Sequence, residues 1–133
     1  MKHLHSTCGP SVEAEWRVYQ QYVLSLEGTV PPALADFAKI NSHDARIVSI
    51  LRPSKRCVPI TLSGFACEEL KSLTFTVGEV VRDFSPEKLV GQPLWGHEIT
   101  LLDGEEFEIR AKAESNELFV CGRCFRMTTE PAD

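Results

Sequence analysis

The chain has 133 residues, 43% of them hydrophobic and 25% charged, the balance of an ordinary globular domain long enough to bury its own core. Fourteen basic against nineteen acidic residues leave a net charge of −5, which speaks against nucleic acid as a partner, and no apolar run reaches membrane-spanning length. Five cysteines, odd in number and irregularly spaced, fit a soluble protein of the reducing cytoplasm rather than a disulfide framework.

Residues 1–8 read as a flexible lead-in, without a signal-peptide core, to a single domain over residues 1–133. Gly9-Pro10-Ser11 then starts a helix with Ser11 as N-cap, and Val12, Trp16, Tyr19, Val23 and Leu26 recur at helical spacing as one apolar stripe. Gly28 supplies its stop. Pro31-Pro32 opens a second, shorter helix to about Ile40, with Leu34, Phe37 and Ala38 on its buried side. The period then falls from 3.6 to 2. Ala45–Leu51 and Arg56–Leu62 read as strands around an Arg52-Pro-Ser-Lys turn, and Pro59, which has no N–H to give a ladder, pushes the second toward a sheet edge. Ser63–Lys71 is ambiguous. Ser72–Val77 alternates as a half-buried strand that can run on past Gly78 to Phe84 with a bulge. Ser85 to Gly91 looks like one capped helical turn, with Ser85 as N-cap and Pro86 at the first position.

His97–Met127 reads as a three-stranded antiparallel meander. Phe107, Ile109 and Ala111 alternate with Glu106, Glu108, Arg110 and Lys112. A three-residue Asp103–Glu105 loop puts Ile99 opposite Ile109 and Glu98 opposite Arg110; a Leu102–Gly104 loop suits glycine better but sets Glu98 against Glu108. The first is preferred because unlike charges attract across strands. A two-residue Ser115-Asn116 loop then pairs Ala111 with Val120 and Glu108 with Arg123. The inner face holds Ile99, Phe107, Ile109 and Val120; the outer face carries Phe119, Cys121 and Phe125. The expected architecture is α+β: two N-terminal helices packed on a mainly antiparallel five- or six-stranded sheet ending in the meander.

Cys121-Gly-Arg-Cys124 lies within a strand, where positions three apart face opposite ways. The two cysteines are therefore expected to bind no zinc and to form no disulfide with each other. His3, His5 and Cys8 could chelate a metal ion but sit on the flexible lead-in. No cofactor motif, nucleophile elbow or acid–base pair can be assembled. The expected protein is a small non-enzymatic binding or interaction factor of the immunity-protein or accessory kind. The alternative is a small-molecule-binding domain or enzyme with a cleft between helices and sheet, lined by Trp95, His97, Tyr19 and Tyr22, with Arg52 and Arg56 at its mouth for a small anionic ligand. The two outer phenylalanines, Phe119 and Phe125, call for cover by a homodimer partner or, failing that, by the second helix or the Ser85–Gly96 loop. Neither nucleic acid nor membrane is expected as a partner.

Arg52-x-x-x-Arg56 followed by Asp83-Phe-Ser85 resembles the PilZ domain. That family binds cyclic di-GMP through the arginines of an Arg-x-x-x-Arg motif and an Asp/Asn-x-Ser-x-x-Gly turn. The resemblance implies ligand-binding roles for Arg52, Arg56, Asp83 and Ser85 in a degenerate nucleotide-binding domain. Lys88 stands where the family has glycine, and Pro53 follows the first arginine.

Overall fold

The computed structural model describes residues 31–66 and 68–132, together with Gln21. Apart from Gln21, which is helical, the expected first helix, and with it Tyr19, Tyr22, His3, His5 and Cys8, lies outside the described residues. Helix α1 (Pro32–Lys39) forms where the second was expected and buries Leu34, Ala35, Phe37 and Ala38. Eight strands follow: β1 (Arg46–Ile50), β2 (Cys57–Ser63), β3 (Leu70–Gly78), β4 (Arg82–Phe84), β5 (Leu94–Leu101), β6 (Phe107–Ala113), β7 (Glu117–Gly122) and β8 (Cys124–Pro131).

These strands make two antiparallel sheets, in the orders β1-β2-β3-β8 and β4-β7-β6-β5. The expectation of two helices on one sheet is therefore wrong. The described chain is mostly β, with one helix and two four-stranded sheets around a single core. Ile60, Leu62 and Phe75 from the first sheet meet Ile109, Ala111 and Leu118 from the second. Alternation along each strand produces this core, since side chains two apart share a face. Helix α1 packs on β8 and on β5, one strand from each sheet.

Two segments read as continuous strands each split between sheets. The run from Ser72 breaks at Glu79, whose φ of 49° turns the chain out of β3 and toward β4. The run from Leu118 breaks at Arg123, between β7 and β8. The crossings lie side by side, with Val81 N–H donating to Cys121 C=O at 2.8 Å and Arg123 N–H to Gly78 C=O at 3.2 Å. Gly122 makes this approach possible. A Cβ there would stand 2.6 Å from both the Gly78 carbonyl oxygen and Val77 Cγ1. Gly122→Ala should destabilise by about 1–3 kcal/mol, as overpacking against backbone does. Unchanged thermal and urea unfolding would show that the crossings are looser than this.

The β5–β6 hairpin takes the preferred register, with Glu98 opposite Arg110, Ile99 opposite Ile109 and Leu101 opposite Phe107. The β6–β7 hairpin is displaced by two residues from expectation: Ala111 faces Leu118 and Glu108 faces Cys121, not Arg123. A slip of two keeps every side chain on its face, so the apolar pattern cannot detect it. The observed register brings Arg110 Nη1 within 2.7 Å of Glu117 Oε1 and lays the guanidinium 5.0 Å from the Phe119 ring centre. Pro59 does not make β2 an edge, since β2 lies between β1 and β3. Its carbonyl accepts Leu51 N–H at 2.9 Å and β1 ends at Ile50, so the missing N–H falls where the ladder stops. Ser85 does not cap the short 3-10 turn Glu87–Leu89; Pro86 occupies that position and the serine hydroxyl is engaged elsewhere.

Candidate functional site

The loop after β1 lies alongside the segment that leads into and out of β4. Val80 N–H donates to Arg56 C=O at 3.3 Å. Arg52 Nε donates to Asp83 Oδ2 at 2.8 Å, and its Nη2 donates to the Ser85 carbonyl at 2.9 Å. The Ser85 hydroxyl, on a residue only 6% exposed, donates to Asp83 Oδ1 at 2.5 Å. A planar guanidinium spans a carboxylate and a carbonyl well because its donors form a rigid fork. Both Asp83 carboxylate oxygens thereby accept a hydrogen bond from within the protein.

Arg52 is thus committed to the protein, whereas Arg56 on the same loop is exposed and its guanidinium has no partner among the described residues. Lys55 and Arg82 are exposed as well. Neither was singled out at the sequence level: Lys55 fills an unspecified position of Arg52-x-x-x-Arg56, and Arg82 precedes Asp83-Phe-Ser85. These exposed cations, two on the loop and one on β4, can attract an anion.

The other expected ligand-lining residues stand elsewhere. Trp95 is thrown outward at a bulge in the β5–β6 pairing, beyond the first residue of β1, while Arg52 lies past its last. The strand between them separates the two by roughly 15 Å at normal β rise. His97 lies in the core, 7% exposed, with its ring stacked on Phe37 at 4.1 Å. Its Nε2 sits 2.8 Å from the Phe37 carbonyl and its Nδ1 2.6 Å from Ser42 Oγ. A carbonyl oxygen can only accept, so Nε2 carries the proton and Nδ1 accepts from the serine. Burial lowers the His97 pKa to about 4, against the smaller upward pull of the Phe37 carbonyl. The ring borders a cavity of about 10 Å³ between the sheets, space for at most one water. Ser42 and Phe37 carried no sequence signal as partners of His97.

Phe125 is buried in its own chain, with ring centres 5.5 Å from Phe37 and 6.1 Å from Phe107. The crossing at Arg123 inverts the alternation and carries it inside, where α1 covers it. Phe119 remains on the outer face, stacked 5.5 Å from the exposed Phe84. Only Phe119 of the two therefore lies where a second copy could reach it.

Cys121 and Cys124 belong to different sheets, each beside its own carboxylate: Cys121 Sγ is 3.8 Å from Glu108 Oε2 and Cys124 Sγ 2.7 Å from Glu79 Oε2. Burial, then Glu108, raises the Cys121 pKa; the hydrogen bond to Glu79 raises that of Cys124. Both thiols are held protonated and poorly nucleophilic. Among the described residues no three His, Cys, Asp or Glu side chains converge as a metal site, and no helix is long and apolar enough to cross a membrane. No protein family, curated protein or solved structure matches the chain.

Proposed function

We propose that the protein is a small non-enzymatic binding module whose ligand-facing element is the Arg52–Arg56 loop seated on Asp83–Ser85, and that its ligand is an anionic nucleotide of the cyclic dinucleotide class. The supporting observation is the Arg52–Asp83–Ser85 network, which joins residues 31 and 33 apart in sequence. These are the residues singled out by the resemblance to the PilZ domain. In this reading Arg52 positions the loop, Arg56 meets the phosphates, and Lys55 and Arg82 add attraction. The unpaired thiols suit a reducing cytoplasm.

Titration calorimetry of the full chain with cyclic di-GMP tests this reading. Heat of binding is expected, and Arg56→Ala should weaken it about tenfold or more, the scale of a lost charged hydrogen bond. Because Arg56 is exposed, its stability should stay within about 0.5 kcal/mol. Absence of binding by the wild-type chain overturns the nucleotide reading, and binding untouched by Arg56→Ala overturns the site.

A further inference from the structure

Eight large apolar side chains stand exposed among the described residues, and six of them lie on one seam. Val48 and Leu51 belong to β1 and the residue after it. Val81, Phe84, Val90 and Trp95 belong to the segment 81–95 that runs beside β1. The two strips are joined by bridges from Arg46 to Pro93 and from Ile47 to Val90, and by Arg52 to Asp83. Two bulges place an extra residue on this seam. The β1–β2 register shifts between Ile47 and Ser49, which turns Val48 out to 51% exposure; the β5–β6 register shifts between Leu94 and Gly96, which leaves Trp95 46% exposed. Bulges re-aim side chains, and here both aim large apolar groups at solvent.

Charge follows the same seam. Residues 46–56 and 81–95 hold six basic and two acidic side chains, in a chain with fourteen basic and nineteen acidic. The seam therefore carries a net positive charge in an acidic chain. We infer that it docks on an anionic lipid surface, with Trp95, Val48, Val90 and Phe84 entering the interfacial layer and Arg56, Lys55 and Arg82 facing the headgroups. Basic and apolar groups mixed on one face are what such a surface selects, and the cytoplasmic leaflet is negatively charged. A second copy fits poorly, because a two-fold contact would set this cationic strip against itself. A fluid interface also accepts outward-pointing bulge residues without matching pockets, which a folded partner would have to supply.

Flotation of the full chain with vesicles tests the inference separately from nucleotide binding, since neither Val48 nor Trp95 is among the residues assigned to the nucleotide. The protein should float with phosphatidylcholine vesicles containing phosphatidylserine and not with phosphatidylcholine alone. High salt should release it by screening. The double variant Val48→Ser, Trp95→Ser should float several-fold less while its thermal melt and its cyclic di-GMP titration stay unchanged. Protein that stays in solution with anionic vesicles at low salt overturns the lipid surface and turns the seam over to a protein partner. Flotation that the double variant does not reduce overturns the seam as the contact.

Discussion

Replacing Phe37 by alanine should lower the unfolding free energy by about 3–5 kcal/mol, the cost of emptying a fully buried aromatic site. The ring is 0% exposed, with centres 4.6 Å from Phe75, 4.1 Å from His97 and 5.5 Å from Phe125. It is the side chain through which α1 holds both sheets at once, one through Phe75 and Phe125 and the other through His97. Leu34, Ala35 and Ala38 are buried beside it, and an eight-residue helix is too short to be stable without such packing. Urea unfolding measures the loss. A value under about 1 kcal/mol, typical of surface changes, would mean that the helix is not what closes the core.

Stability should also fall with acid because of His97. Its folded pKa, about 4, lies below the unfolded value of 6.5. Above 6.5 both states are neutral at this ring and its contribution is complete. As the pH falls from 6.5 toward 4 the unfolded chain takes up a proton that the folded one refuses. Stability then declines by at most about 1.4 kcal/mol per pH unit, on the order of 3 kcal/mol in total. Below 4 both states are protonated and this group adds no further slope. His97→Gln can still donate to the Phe37 carbonyl and accept from Ser42, but it cannot titrate. The difference between wild-type and variant unfolding curves across this range isolates the ring from the carboxylates. Identical pH dependence in the two proteins would mean that His97 is protonated at little cost in the fold.

Much of the candidate site could be read from the residues. Arg52, Arg56, Asp83 and Ser85 are picked out by the resemblance to the PilZ domain, but that resemblance does not say that Arg52 binds Asp83 rather than a ligand. That depends on β1 running beside the segment after β4, a contact between distant parts of the chain. His97 shows the reverse. The sequence reading set it with Trp95, Tyr19 and Tyr22 in the lining of a cleft, yet the ring faces inward to Ser42 and Phe37, which are 55 and 60 residues away. The exposed seam was equally hidden, because a bulge is a mismatch between two strands and neither strand records it alone.

The sequence by itself determined the short helix, the alternating faces within β6, and the register of the β5–β6 hairpin. In that hairpin parity and the Glu98–Arg110 pair agree, and all the deciding residues lie within a few positions of the loop. Tertiary structure alone decided which sheet each strand joins. Alternation assigns a side chain to one face or the other but carries no label for the sheet. The chain changes sheets at Glu79 and Arg123, where the two crossings lie against each other. Gly122 is indispensable there only because Gly78, 44 residues earlier, comes within contact of it. That break inverts the alternation between Phe119 and Phe125, leaving one ring outside and putting the other in the core.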